Sequence, residues 1–223
     1  MKIWKTLITC TTFSIMSLTS TLFAINQSEW ETFKGASLAA DIYENKGGKA
    51  IGSGVVIAGG KLLTAGHCHG TAMLVFRNEG GEKWKAKLEN IDCILDAGLY
   101  NLEGTNIPKG VPLGDSSKLK FGDKLYQIGN GVNYDKNNPQ PRWFHKSAGT
   151  FIRLEENQEG EPRIQFTVRI MPGDSGSGVV NEQGELVGVV SQQMVDYQTG
   201  EIIGLAVPIN DIKKTFGLGN DAS

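Results

Sequence analysis

The hydrophobic residues of this chain come in short runs separated by clusters of glycine, asparagine and aspartate. Runs of about four to eight residues that are rich in β-branched side chains and bounded by turn residues are typical of a β-sandwich or β-barrel. Each run predicts one strand. In chain order the predicted strands lie at residues 50–57, 62–65, 72–76, 84–88, 93–95, 99–102, 124–128, 146–154, 163–168, 178–180, 185–191 and 202–207. The pattern therefore predicts an all-β fold.

Three further segments punctuate this pattern. Near the C-terminus, Asn210 as a cap and Gly217 as a stop predict one short helix. A polar segment at residues 111–121 divides the chain into two β-rich halves, which we take as residues 25–115 and 116–223. The stretch from 130 to 141 is rich in Gly, Asn, Asp and Pro, and it predicts a long surface loop.

The first 24 residues have a different pattern. A basic start with Lys2 and Lys5 is followed by an uncharged apolar stretch up to Ala24, after which the chain turns polar. This layout is typical of a secretory signal peptide, and we predict cleavage after Ala24. The alternative is an uncleaved membrane anchor, for which the stretch is short and rich in hydroxyl groups. We therefore expect a secreted protein, extracellular or periplasmic, with no membrane span after signal removal.

Composition narrows the class of partner. The chain has 223 residues, 39% hydrophobic and 21% charged, which is ordinary for a globular protein. Removing residues 1–24 takes away two lysines and no acidic residue, so the formal net charge moves from −2 to −4. With no basic patch, nucleic acid is not an expected partner.

Two cysteines, Cys68 and Cys93, remain after signal removal. An even pair in an exported protein favours one disulfide. The alternative is two buried free thiols, because cysteine packs well as a small hydrophobic side chain.

Three segments carry candidate chemistry. His67 follows a predicted strand, Asp96 lies among apolar residues, and Ser175 lies in a glycine-dense loop at 173–178. A serine hydroxyl is a weak nucleophile that needs a base, and histidine titrates close to neutral pH. A carboxylate on the other ring nitrogen orients that base, and burying Asp96 without such a partner would be costly. Glycine at 173 allows the N–H groups of Gly173 and Ser175 to face a developing oxyanion.

These segments resemble the three catalytic blocks of the chymotrypsin/trypsin-like serine protease family. They read Thr-Ala-Gly-His-Cys at 64–68, Asp-Ala-Gly-Leu at 96–99 and Gly-Asp-Ser-Gly-Ser at 173–177, in the family's chain order. The resemblance covers about residues 42–216 and implies two six-stranded antiparallel β-barrels with the active site between them. It also implies a serine endopeptidase that hydrolyses peptide bonds in protein or peptide substrates through an acyl-enzyme, with no cofactor.

Departures from the animal digestive branch make the chain more similar to bacterial secreted members, including the protease domain of the high-temperature-requirement family. No Ile-Val-Gly-Gly start follows residue 24, so Asp174 is not expected to pair with a new N-terminus. Gly52 stands where the animal branch has the cysteine that pairs with the one after the histidine. The resemblance therefore leaves Cys93 as the candidate partner of Cys68.

The resemblance also indicates the substrate-binding residues. Arg169, six residues before the nucleophile, stands at the bottom of the primary pocket, where trypsin-like enzymes have aspartate. This argues against basic substrates; the guanidinium either pairs with an acidic side chain or turns to solvent. Ser191 and Gln193 are expected on the strand that pairs with substrate backbone, and Gln193 replaces a common glycine and narrows the pocket.

Other interpretations of these residues are weaker. Residues 67–69 (His-Cys-His) could be interpreted as a metal cluster. Neighbouring residues on a strand point to opposite faces, and no further set of ligands is present in the sequence, so no metal site is expected. Asp92 is the nearest rival of Asp96 but lacks the following small-small-Leu pattern. His145 is expected at the surface or in a loop.

The second hypothesis for the whole chain is a non-catalytic or latent binding protein on the protease fold. Arg169, Gln193 and the missing activation start motivate it, and the intact set of three blocks weighs against it. Oligomeric state stays open.

Overall fold

The computed structural model describes residues 25–45, 47, 49–70, 73–133, 140–157, 160–196 and 199–219, with backbone alone at 132, 133 and 140–142. The predicted signal peptide lies outside the described residues. Within those ranges, no helix combines the length and apolar character needed to cross a membrane.

Two closed antiparallel barrels of six strands each form the body of the protein. The first contains β1 (Ser37–Tyr43), β2 (Lys49–Ile57), β3 (Lys61–Thr64), β4 (Met73–Arg77), β5 (Lys83–Asp92) and β6 (Ala97–Glu103), in the order β1-β2-β3-β6-β5-β4. The second contains β7 (Lys124–Asn133), β8 (Gln140–Glu156), β9 (Pro162–Phe166), β10 (Gly178–Val180), β11 (Leu186–Val195) and β12 (Ile202–Pro208), in the order β10-β11-β12-β9-β8-β7. The predicted fold class, including the C-terminal helix, is confirmed.

Apolar side chains of the two barrels form the core. Fully buried members include Leu62, Phe76 and Leu99 in the first barrel and Leu125 and Phe166 in the second. The strands that carry them are β-branched or aliphatic at inward positions, which is why the short runs predict strands. Closing each sheet on itself also leaves no unpaired strand edge.

The predicted pattern lacked the first helix and the first strand, β1 (Ser37–Tyr43). Helix α1 (Gln27–Ala36) is capped by Asn26, whose side chain accepts a hydrogen bond from Glu29 N at 3.0 Å. Only Phe33 and Ala36 of this helix are buried, so its apolar periodicity is weak. The Trp30 ring meets the Tyr126 ring edge-on, with centroids 6.5 Å apart, so the helix packs across both barrels.

The C-terminal helix α2 (Ile209–Phe216) begins two residues earlier than predicted. Pro208 is its N-cap, and Gly217 ends it in the left-handed conformation at φ 65°, as predicted. Asn210 does not cap this helix. Its side chain instead accepts from Ser116 N at 3.3 Å and donates to Asp115 at 2.7 Å, which ties the helix to the segment between the barrels.

Two predicted segments have different structures. The predicted loop at 130–141 is shorter, because β7 extends through Asn133 and β8 starts at Gln140. Residues 93–95 form a turn instead of a strand. The Asp92 carboxylate accepts hydrogen bonds from Ile94 N and Leu95 N, both at 2.9 Å, and so closes this turn just before Asp96.

Candidate active site

The three candidate catalytic residues lie at the ends of strands that meet between the barrels. His67 is in a single 3₁₀ turn, Gly66–Cys68, that directly follows β3. Asp96 ends the turn before β6, at a left-handed φ of 63° that aspartate tolerates better than most residues. Ser175 lies in the loop before β10, which we call the nucleophile loop (residues 173–177).

The structure brings His67 and Asp96 into direct contact. His67 Nδ1 is 3.0 Å from each carboxylate oxygen, and the backbone N of His67 donates to Asp96 Oδ1 at 2.9 Å. A Cβ on Gly66 would lie 3.0 Å from Ala97 N and from Asp92 O. Glycine at 66 therefore allows the two turns to approach closely enough for this pair to form.

The electrostatics of the pair favour a protonated His67 beside an ionised Asp96. The hydrogen bond to Asp96 is the main cause that raises the pKa of His67 above its ordinary value; Cys68 adds to it and burial opposes it. Burial works to raise the pKa of Asp96, but hydrogen bonds from His67 and Ser191 outweigh it and lower that pKa. Asp96 therefore stays ionised and stabilises an imidazolium at His67.

Ser191 links Asp96 to Ser175. Its Oγ donates to Asp96 Oδ2 at 2.5 Å, and its carbonyl oxygen accepts from Ser175 Oγ at 3.2 Å. The β11–β12 register shifts between Val190 and Gln192, so Ser191 is the extra residue of a β-bulge. A bulge re-aims a side chain and frees a carbonyl from the strand ladder, which explains both contacts. The Ser175 hydroxyl is thus linked to Asp96 through Ser191.

A residue that sequence reasoning missed holds the nucleophile loop. Ser53, in the middle of β2, donates from N to Ser175 O and from Oγ to Gly173 O, each at 2.8 Å. Its Oγ also accepts from Asn130 Nδ2 at 3.1 Å, and its carbonyl accepts from Thr64 Oγ1 at 2.7 Å. Glycines on both sides of Ser53 were the available signal, because glycine inside a strand marks close backbone approach.

Glycine is required at two positions of the loop. Gly173 and Gly176 have φ of 99° and 88°. An added Cβ would lie 2.5 Å from Asn130 O at the first position and 2.1 Å from Ser53 O at the second. Substitution at either position would therefore displace the backbone that presents Ser175.

The predicted substrate-binding residues differ in their surroundings. Ser191 is buried and committed to Asp96 and Ser175 as described above. Gln193 is exposed on β11 and pairs with Gly204 on β12. Arg169 is exposed and lines a cavity of about 270 Å³ with neighbours from β8 and from the chain before the nucleophile loop: His145, Ser147, Ala148, Thr167, Val168 and Met171.

The predicted Cys68–Cys93 disulfide is wrong for this structure, in which both cysteines are free thiols. Cys68 is buried, and its Sγ lies 3.7 Å from the carbonyl oxygen of Ser175, so it faces the second barrel. Cys93 is exposed in the turn that precedes Asp96. The two side chains differ in exposure, and their thiols are not bonded to each other.

The expectation for His145 is also corrected. Its side chain is only 7% exposed, and Nε2 lies 3.1 Å from Oδ1 of the fully buried Asp174. Asp174, which was not expected to pair with a new N-terminus, therefore has His145 as a close neighbour within the chain.

Two closed six-stranded barrels, with histidine, aspartate and serine at the interface between them, have the architecture of the trypsin-like peptidases. Residues 52–189 match the trypsin-like peptidase domain family, and the chain belongs to that family. The resemblance seen in the three sequence blocks is thereby confirmed.

Its relatives include bacterial serine proteases. The chain is 34% identical over 166 residues to a probable periplasmic serine endoprotease DegP-like from Pseudomonas putida (strain GB-1), covering 73% of this chain and 33% of that protein. It is 26% identical over 199 residues to the serine protease Do-like HtrA of Bacillus subtilis (strain 168), covering 87% and 42%. The chain thus spans about a third to two fifths of the length of these relatives.

A solved structure, the HtrA-type protease AlgW with tripeptide, has the same fold. The match has a TM-score of 0.69 at 23% identity and covers 86% of this chain and 62% of that one.

Proposed function

We propose that this protein is a secreted serine endopeptidase, with His67, Asp96 and Ser175 as its catalytic triad. The observation that carries the proposal is the His67–Asp96 contact, at 3.0 Å from Nδ1 to both carboxylate oxygens, in a chain of the trypsin-like peptidase family. The names of its relatives as serine endoproteases and serine proteases support the same activity.

The proposed reaction begins with proton transfer from Ser175 Oγ to His67 Nε2, after the hydroxyl rotates away from Ser191 O. Ser175 Oγ attacks the peptide carbonyl, and the N–H groups of Gly173 and Ser175 hold the resulting oxyanion. His67 then gives the proton to the leaving amine, and an acyl-enzyme remains. Water, activated by His67, hydrolyses the acyl-enzyme and regenerates Ser175. Asp96 stays ionised and stabilises the imidazolium in both stages.

In this proposal the two halves of the chain have separate roles. Residues 25–115 supply the base and its orienting acid, and residues 116–223 supply the nucleophile loop. We propose protein or peptide substrates, a view supported by the tripeptide in the AlgW structure, and a location in the periplasm or outside the cell, supported by the periplasmic relative.

Arg169 and Gln193 are the proposed specificity residues, since both are exposed and Arg169 lines a cavity together with Met171, which lies just before the nucleophile loop. A guanidinium at Arg169 disfavours a basic substrate side chain by like-charge repulsion. A peptide library should therefore show few Lys or Arg residues before the cut, and Arg169→Asp should raise their share. If Arg169→Asp left the preference for the residue before the cut unchanged, Arg169 would not be a specificity residue.

The test of the proposed activity is labelling with a fluorophosphonate probe, which reacts with an activated serine. The folded wild-type chain should be labelled and should cleave casein, and Ser175→Ala should do neither. Ser117→Ala removes an exposed serine 58 residues before Ser175 and serves as the matched control. Labelling that persists in Ser175→Ala would contradict the proposal.

The second candidate is a non-catalytic or latent binding protein on this fold. The observation that favours it is the hydrogen bond of Ser175 Oγ to Ser191 O, which engages the hydroxyl away from His67. If the folded wild-type chain is neither labelled nor proteolytic at any pH from 5 to 10 (a span of about five units that covers the titration of histidine), this candidate replaces the first.

A further inference from the structure

Ser53 holds the carbonyl groups of both residues whose N–H groups are proposed to bind the oxyanion. Its backbone N donates to Ser175 O and its hydroxyl donates to Gly173 O, each at 2.8 Å. Ser53 is completely buried, so bulk water does not compete for this hydroxyl. A bond to a carbonyl limits the rotation of the residue that carries it. The placement of Gly173 therefore depends on the direction in which the Ser53 hydroxyl donates.

The side chain of Asn130 determines that direction. Its Nδ2 lies 3.1 Å from Ser53 Oγ. A serine hydroxyl has a single hydrogen to donate, whereas an amide nitrogen donates only and a carbonyl oxygen accepts only. With Asn130 Nδ2 on one side and Gly173 O on the other, the Ser53 oxygen accepts from Asn130 and its hydrogen goes to Gly173.

Two backbone groups fix the orientation of the Asn130 amide. Its Oδ1 accepts from Phe144 N at 3.0 Å, and its Nδ2 also donates to Leu38 O at 3.2 Å. Turning the amide over would set two acceptors against each other at Leu38 and two donors against each other at Phe144. Asn130 is completely buried, so such unpaired groups would be costly. These contacts therefore favour one orientation, in which the amide nitrogen faces Ser53.

An irregularity in the second barrel places Asn130 beside the nucleophile loop. The β7–β8 register shifts between Gly129 and Gly131, and Phe144 on β8 has a left-handed φ of 51°, which is uncommon for an aromatic residue. Such a conformation persists where surrounding contacts hold it, and the bond from Phe144 N to Asn130 is one such contact. The backbone of Asn130 also touches the loop, since a Cβ on Gly173 would lie 2.5 Å from Asn130 O.

We propose that Asn130 is a positioning residue: through the hydroxyl of Ser53 it fixes the carbonyl of Gly173, and so keeps Gly173 N–H in place for the oxyanion. This inference rests on the proposed function for its consequence in catalysis. If an acceptor replaced the amide nitrogen of Asn130, the Ser53 hydroxyl would donate to that acceptor. The carbonyl of Gly173, a buried residue, would then lose its donor, and the loop would gain free energy by turning this carbonyl towards another partner.

The test measures the fluorophosphonate labelling rate, and kcat and KM for a peptide substrate. Asn130→Asp keeps the shape of the side chain and replaces the donor by an acceptor. It should lower the labelling rate and kcat by at least about tenfold with little change in KM, since removal of one oxyanion donor costs about 10²–10³. Asn106→Asp makes the same chemical change at an exposed residue and should leave these rates unchanged. A rise in KM with unchanged kcat in Asn130→Asp would contradict the inference.

A double-mutant cycle with Ser53→Ala separates positioning from a merely structural role. In the Ser53→Ala background the hydroxyl through which Asn130 is proposed to act is absent. Asn130→Asp should then lower the labelling rate by less than about threefold, so that the two substitutions are strongly non-additive. If the losses in the two single variants multiply in the double variant, Asn130 acts independently of Ser53 and the inference is wrong.

Hydrogen–deuterium exchange of the peptide that contains the nucleophile loop gives a readout independent of catalysis. Exchange should be faster in Asn130→Asp than in wild type and unchanged in Asn106→Asp. If wild type is not labelled, the proposed function fails while this measurement still decides the role of Asn130. Equal exchange in wild type and Asn130→Asp would overturn the inference.

Asn130→Ser adds no charge and covers the case in which Asn130→Asp does not fold. Its shorter side chain cannot reach Ser53, Leu38 and Phe144 together, so labelling should slow and loop exchange should rise in this variant as well. Wild-type labelling and exchange in Asn130→Ser would contradict the inference. If neither variant at position 130 folds, the role of Asn130 is to stabilise the fold and the inference is wrong.

Discussion

A cysteine placed at Gly52 should form a disulfide with Cys68 and stabilise the protein. A Cβ built at Gly52 lies 3.1 Å from Cys68 Sγ. Across an S–S bond of about 2.04 Å, a Cβ and the far sulfur are separated by about 3.0 Å, so the backbone is already in place. The same Cβ would meet Ile42 Cδ1 at 3.3 Å and Ser175 O at 3.5 Å, contacts that a small side-chain adjustment relieves.

The size of the effect follows from the loop that is closed. The link joins β2 to the turn after β3, and closing a loop of about 15 residues stabilises by about 3 kcal/mol through loss of unfolded-chain entropy. For a domain of this size each kcal/mol corresponds to about 2–4 °C in Tm, so Gly52→Cys should raise Tm by about 6–12 °C. Labelling by fluorophosphonate should be retained, because the disulfide does not change the His67 ring, the Asp96 carboxylate or the Ser175 hydroxyl.

The assay is thermal unfolding of oxidised Gly52→Cys with and without reductant, together with a count of free thiols. The mature variant should keep one free thiol, Cys93, and the gain in Tm should vanish on reduction. Gly52→Cys combined with Cys68→Ser is the matched control and should show no gain in either condition. A folded, oxidised variant with three free thiols would refute the reasoning about the distance between residues 52 and 68.

Three further predictions concern the site. Asp96→Asn should lower the labelling rate by about 10⁴; it should also move the acidic limb of the residual pH–rate profile to lower pH, because the carboxylate that raises the pKa of His67 is gone. Gly176→Ala should cost about 2–4 kcal/mol in urea unfolding, since its Cβ would lie 2.1 Å from Ser53 O, whereas Gly200→Ala, with open space at φ 74°, should cost about 1 kcal/mol or less. Ser53→Ala should cost about 1–3 kcal/mol by leaving a buried loop carbonyl unpaired, and it should slow labelling; unchanged stability and labelling would show that water replaces the hydroxyl.

The strand pattern and the three sequence blocks that resemble the protease family could be recognised from the sequence because both are local. The alternation of apolar and polar residues that marks a strand, and the glycine-dense loop around a serine, are both formed by residues that are close together along the chain. Helix α1 was missed because it buries only Phe33 and Ala36, so its sequence has little of the apolar periodicity that predicts a helix. Asn210 has a side chain that can cap a helix, but in the structure this side chain forms hydrogen bonds with residues 115 and 116 instead.

Contacts between distant parts of the chain were decided by closure of the two barrels. The bond from Ser191 to Asp96 joins residues 95 positions apart, and the bond from Ser53 to Gly173 joins residues 120 apart. The same closure placed Cys68 against Ser175 and buried His145 against Asp174. A sequence specifies which side chains can bond, but which of them meet depends on strand register and barrel packing, which many residues determine jointly.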